Sequence, residues 1–178
     1  MTKRYFERLF RKKSQFEERT SSKQKGKIVE NRAIEIITLT SNGKLTCYSP
    51  NSDDDGIDLI VKPKSEFKPI FLQVKSRFKL QKNRQFIQNV GIKTFQSNKY
   101  SYLLFIYFPI DKLEVEKLWL IPSEDFKRLA YEKKAGKTYK SFYRFSATPF
   151  SLKNKWAKYI VEKNNLGKEI NEIIKREY

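Results

Sequence analysis

Four polar side chains stand in apolar surroundings: Glu30, Asp58, Gln73 and Lys75. Asp58 lies in Ile57-Asp58-Leu59-Ile60-Val61, and Gln73 and Lys75 lie in Ile70-Phe71-Leu72-Gln73-Val74-Lys75. Both stretches read as strands, whose side chains alternate faces with a period of two. Gln73 and Lys75 then share one face, opposite Ile70, Leu72 and Val74. If the strands pair as a hairpin, Asp58, Gln73 and Lys75 meet on one face. A carboxylate, an amide oxygen and an ammonium together can hold a hard cation and stabilise developing negative charge. The plainer alternative is a cross-strand Asp58–Lys75 ion pair, worth about 1 kcal/mol at most. Three such groups buried without partners would cost roughly 1–3 kcal/mol each.

Glu30 belongs to a helix expected over residues 26–39. At 100° per residue, Ala33, Ile34 and Ile37 form its apolar arc, widened by Val29 and Ile36. Glu30 falls inside that arc, whereas Glu35 points elsewhere. A carboxylate on a packing face needs a partner or a role, and a structural ion pair would satisfy it equally well.

Composition narrows the chemistry further. The chain has 178 residues, no histidine and a single cysteine, Cys47. Histidine-based triads, dyads and metal sites are excluded, as are internal disulfides and cysteine-based zinc sites. Catalysis must run on carboxylates, lysine, hydroxyls or a metal held by oxygen. The formal net charge of +18 implies an anionic partner, most simply nucleic acid. A lysine-rich background composition gives the same number. No apolar run of signal-peptide length opens the chain, and the longest apolar stretch, residues 102–110, is too short to span a bilayer. A soluble, cytoplasmic protein without a small-molecule cofactor is expected.

The remaining elements must position these groups. Residues 1–25 read as a basic helical arm, with Tyr5, Phe6, Leu9, Phe10 and Phe16 near helical spacing. Residues 26–178 read as a single domain. Asn42-Gly43 ends the first helix, residues 45–48 form a short strand, and Asp53-Asp54-Asp55 lie in the loop before Asp58. These three lack calcium-loop spacing and read as solvated. Strands are expected near residues 85–90, 101–108, 113–121 and 139–146. A helix capped by Ser123 runs to about Lys133, and a helix from about residue 152 packs Trp156, Tyr159 and Ile160. After a break at 164–167, a final charged helix reaches about Arg176. The fold class is α/β (α+β), with a mixed central sheet flanked by helices.

In order, Gly26-Lys27-Ile28-Val29-Glu30, Gly56-Ile57-Asp58-Leu59-Ile60-Val61 and Phe71-Leu72-Gln73-Val74-Lys75-Ser76 resemble the PD-(D/E)XK nuclease superfamily. The resemblance covers roughly residues 26–110. Residues 114–126 are also similar to the strand-to-helix segment of small prokaryotic, restriction-endonuclease-like members. It departs at two places: Ile57 replaces the proline, and Gln73 replaces the acidic residue before X-Lys. Some active members of the superfamily carry glutamine there.

The resemblance implies a metal-dependent endonuclease hydrolysing DNA phosphodiesters with Mg²⁺, or Mn²⁺ as substitute. Asp58, Gln73 and the Val74 main-chain carbonyl would hold the ion, and Glu30 would reach it directly or through water. Lys75 would stand beside the attacking water. Gln73 removes one negative charge, which weakens metal binding or favours one ion over two. Arg77, Lys79, Lys82 and Arg84, with Lys153, Lys155 and Lys158, are candidate nucleic-acid contacts. A homodimer, formed through the N-terminal segment or the final helices, would cut two strands. Two other classes stay open: a nucleic-acid-binding module that keeps the fold without cutting, and a structural or interaction domain.

Overall fold

The computed structural model describes residues 19–52, 55–136 and 140–178, without the side chain of Lys82. The basic arm through residue 18, Asp53 and Asp54 lie outside these. The first helix, α1 (Ser22–Thr40), starts four residues earlier than sequence spacing suggests. Ser21 and Gln24 form a reciprocal capping box, Gln24 N donating to Ser21 Oγ at 3.2 Å and Ser21 N to Gln24 Oε1 at 2.9 Å. Val29, Ala33 and Ile37 are its buried stripe, and Glu30 sits on the flank of that stripe rather than inside it. Asn42 and Gly43, both at positive φ, turn the chain into β1 (Leu45–Tyr48).

The expected hairpin is present. β2 (Leu59–Pro63) pairs antiparallel with both β1 and β3 (Ile70–Arg77). β3 then pairs in parallel with β5 (Ser101–Tyr107), which pairs antiparallel with β6 (Lys117–Pro122), and β6 with the two-residue β9 (Ile160–Val161). The six-stranded mixed sheet has the order β1-β2-β3-β5-β6-β9. No helix among the described residues is long and apolar enough to cross a membrane.

The structure adds a second layer that the sequence did not announce. β4 (Phe86–Gly91), β8 (Phe142–Ala147) and β7 (Tyr131–Lys133) form a separate antiparallel sheet in the order β4-β8-β7. The two faces of the central sheet therefore differ. One is aliphatic, packing Leu59, Val61, Ile70, Leu72 and Leu104 against α1 and the C-terminal helix α3 (Leu166–Glu177). The other is aromatic: Phe105 stacks on Phe145 at 4.0 Å between ring centroids, and Trp119 lies 5.3 Å from Phe86.

Two expected helices are corrected. The helix after Pro122 is α2 (Ser123–Leu129), not one reaching Lys133. Ala130 turns extended, and Tyr131–Lys133 pairs with β8 instead. Ser123 is its first residue rather than its cap, and its hydroxyl donates to Asn98 O at 2.9 Å and accepts from Asn98 N at 3.0 Å. The segment from about residue 152 is not a helix carrying Trp156. Asn154 folds it into a turn, its Oδ1 accepting from Trp156 N at 2.9 Å and its Nδ2 donating to Ser151 O at 2.7 Å. This local bonding competes with helix formation. Trp156 still reaches the core, 1% exposed.

The final helix turns its apolar face into the fold. Leu166, Ile170, Ile173 and Ile174 are buried in the aliphatic core. Gly167 permits this contact, because a Cβ there would stand 2.4 Å from Ile37 O. Its N–H donates to Thr40 Oγ1 at 2.7 Å.

Candidate active site

The site arises because β3 outruns its neighbour. Only Ile70, Phe71 and Leu72 are in register with β2, whose ladder ends at Leu59↔Leu72. Beyond it, side chains replace the missing strand. The Val74 N–H donates to Asp58 Oδ2 at 2.6 Å, and Gln88 Nε2 donates to Ser76 O at 2.9 Å. Asp58 precedes β2 instead of lying within it, and its own N–H donates to Leu72 O at 2.9 Å. The carboxylate is thereby fixed at the uncovered edge of β3 by two main-chain contacts to that strand.

A cleft of about 1100 Å³ opens there. Glu30 from α1, Asp58 from the loop before β2, and Val74 and Lys75 from β3 all line it. Glu30 is held 3.3 Å from Lys27 Nζ, which also reaches Ser49 Oγ at 3.5 Å. Lys75 has no ion-pair partner within 4.0 Å among the described residues. Asp58 and Lys75 therefore form no simple cross-strand salt bridge.

Gln73 is the residue that the fold sets apart. It is 8% exposed and lines a second, smaller cavity with Asp55, Gly56, Gln96 and Ser101, while Ile57 borders both spaces. Gly56 takes φ 67°, and a Cβ there would stand 2.7 Å from Gln73 Nε2 and 2.3 Å from Thr94 O. Only glycine admits this approach at that backbone angle. Gln73 thus lies beneath the loop that delivers Asp58, on the face of β3 that Lys75 shares by alternation.

The basic residues also sort by position. Arg77 and Lys79 line the cleft, and Arg77 Nε donates to Ile87 O at 2.8 Å. Lys23, Lys25 and Lys27 line it too, presented by the first turns of α1. The sequence reading did not assign these three to the site: Lys23 and Lys25 fell in the basic arm and Lys27 at the start of the expected helix, and the Ser21–Gln24 capping box was the available signal. Among the described residues, six cations and two carboxylates line the cleft, a net formal charge of +4. Arg84 is exposed, at φ 57°, and does not line it. Lys153, Lys155 and Lys158 also lie outside the cleft lining. Lys155 donates to Leu129 O and lies 5.3 Å from the Trp156 ring, and Lys158 lies 4.8 Å from Tyr159.

Among the described residues no three Asp, Glu, Cys or His side chains converge as a metal cluster. The donors present are hard oxygens: Glu30, Asp58 and the Val74 carbonyl. That set suits Mg²⁺, which binds through one or two carboxylates and keeps waters and substrate phosphate oxygens for the rest.

The architecture has a counterpart among solved structures. The bacterial homing endonuclease I-Ssp6803I shares it with a TM-score of 0.55 and 16% sequence identity, over 88% of this chain and 96% of that one. At this identity the likeness establishes the fold, a mixed sheet flanked by helices. No protein-family model matches the chain, and no curated protein matches it.

Proposed function

We propose that this chain is a metal-dependent endonuclease of the PD-(D/E)XK type that hydrolyses DNA phosphodiester bonds in the cleft. The observation that carries this reading is the meeting of Glu30, Asp58 and Lys75, from three separate segments, in one strongly basic cleft. The fold likeness to an endonuclease supports it.

In this reading Asp58, Glu30 and the Val74 carbonyl would hold Mg²⁺ or Mn²⁺, which would supply charge neutralisation and a water of lowered pKa. The chain's own groups do the rest. The Val74 N–H fixes the Asp58 carboxylate before substrate arrives. Lys75 offsets charge building on the phosphate and orients the attacking water. Lys23, Lys25, Lys27, Arg77 and Lys79 hold the flanking phosphates as counterions are released. Gln73 acts here by supporting the Gly56 loop.

The test is cleavage of supercoiled plasmid and branched DNA by the full chain with Mg²⁺ or Mn²⁺. Nicking that disappears with EDTA, with Asp58→Asn and with Lys75→Ala is expected. Cleavage that survives both substitutions would refute the site. One observation favours a second reading: Gln73 stands outside the cleft lining, and among the described residues the carboxylates lining it are Glu30 and Asp58. A binding module without chemistry would then retain salt-sensitive DNA affinity and show no cleavage with any divalent ion.

A further inference from the structure

The three-stranded sheet buries its inner face in the aromatic core, through Phe86, Val90, Tyr143, Phe145 and Ala147. Alternation sends Asn89, Arg144 and Tyr131 to the other side, and strand register sets them in one row: Asn89↔Arg144 and Tyr131↔Arg144. Tyr131 is 61% exposed and Asn89 is exposed.

The row is organised around the guanidinium. Arg144 Nε donates to Asn89 Oδ1 at 3.0 Å, and its Cζ lies 5.1 Å from the Phe142 ring centroid. No carboxylate among the described residues lies within ion-pair distance of it. Arg144 therefore has one N–H spent on orientation and its terminal Nη donors left for another molecule. Asn89, its oxygen engaged, offers its own amide N–H groups. An arginine held in this way presents the forked donor pattern that matches the two major-groove acceptors of guanine. With strands about 4.8 Å apart, the three-residue row spans roughly 10 Å, close to the width of a major groove.

β4 is the edge strand of its sheet, and Gln88, whose side chain alternation turns to the face opposite Asn89, lines the cleft. Arg77 Nε to Ile87 O and Gln88 Nε2 to Ser76 O tie β4 to the strand that carries Lys75.

Building on the nuclease reading, we infer that the outer face of the three-stranded sheet reads duplex sequence, with Arg144 and Asn89 as donors to base edges in the major groove. The cleft lysines supply affinity and this sheet face supplies discrimination.

The experiment is selection from duplexes with a randomised centre, using the full chain, followed by competition against a scrambled duplex. The wild-type chain is expected to enrich a guanine-containing sequence. Arg144→Ala and Arg144→Lys should each lower the ratio of selected to scrambled affinity by about tenfold or more. Arg144→Lys keeps the charge but loses the fork, so its affinity for the scrambled duplex should hold. Asn89→Ala should weaken discrimination at the same positions. Binding with no enriched sequence, or an unchanged preference in the Arg144 and Asn89 variants, overturns the inference and leaves the nuclease reading standing. Failure of the wild-type chain to bind any duplex at low salt overturns both.

Discussion

The two halves of β3 obey different rules. Ile70, Phe71 and Leu72 are flanked by β2 on one side and by Tyr100 and the first residues of β5 on the other, and Ile70 and Leu72 are completely buried. Residues 74–77 keep β5 but lose β2, and that vacated edge receives the Asp58 carboxylate and the Gln88 amide. Polar chemistry sits where the ladder is interrupted, because main-chain donors there must be satisfied by side chains. The same strand is thus a core element for half its length and the wall of a cleft for the rest.

Substitution in the two halves should separate stability from activity. Leu72→Ala should cost about 2–5 kcal/mol of folding stability through the cavity it leaves, read as a shift in denaturant midpoint. Lys75→Ala, one turn of the pleat away, should leave that midpoint nearly unchanged and lower cleavage about 100-fold or more. Equal loss of stability in both variants would erase the distinction.

The two basic regions offer a second contrast. Lys25 and Lys27 line the cleft, whereas Lys155 and Lys158 lie over aromatic rings outside it. Removing Lys25 or Lys27 should reduce the slope of log affinity against log salt by about 0.9 each, measured on a mixed-sequence duplex. Lys155→Ala and Lys158→Ala should leave the slope unchanged. The smallest effect concerns the aromatic layer. Burial and the hydrogen bond to Asp125 push the Tyr159 hydroxyl up to about 12. Its contribution is complete below the unfolded tyrosine value of about 10 and is lost as pH rises from there through 12. Between pH 9 and 11.5 the wild-type denaturant midpoint should therefore fall further than that of Tyr159→Phe.

Much of this organisation was legible because it is local. Alternation in residues 57–61 and 70–75 identified the hairpin, and the 3.6-residue period put Glu30 inside the apolar arc, whereas it stands on the flank of the buried stripe. The helical period misled at Tyr131, where pairing with β8 outweighs local propensity, and at residues 152–160, where the Asn154 turn wins. The lysines of α1 entered the cleft through a helix start that depended on one capping box.

The sequence by itself determined which chemistry was available: without histidine and with one cysteine, carboxylates and lysines had to carry it. It also determined that an anion was the partner to expect. Tertiary structure decided which of those groups meet. Asp58 and Lys75 reach one cleft because β2 starts at Leu59, and Gln73 lies apart from it because the Gly56 loop packs down on its amide. Side-chain period assigns a residue to a face, but only the length of the neighbouring strand and the path of the loop above it decide what that face meets.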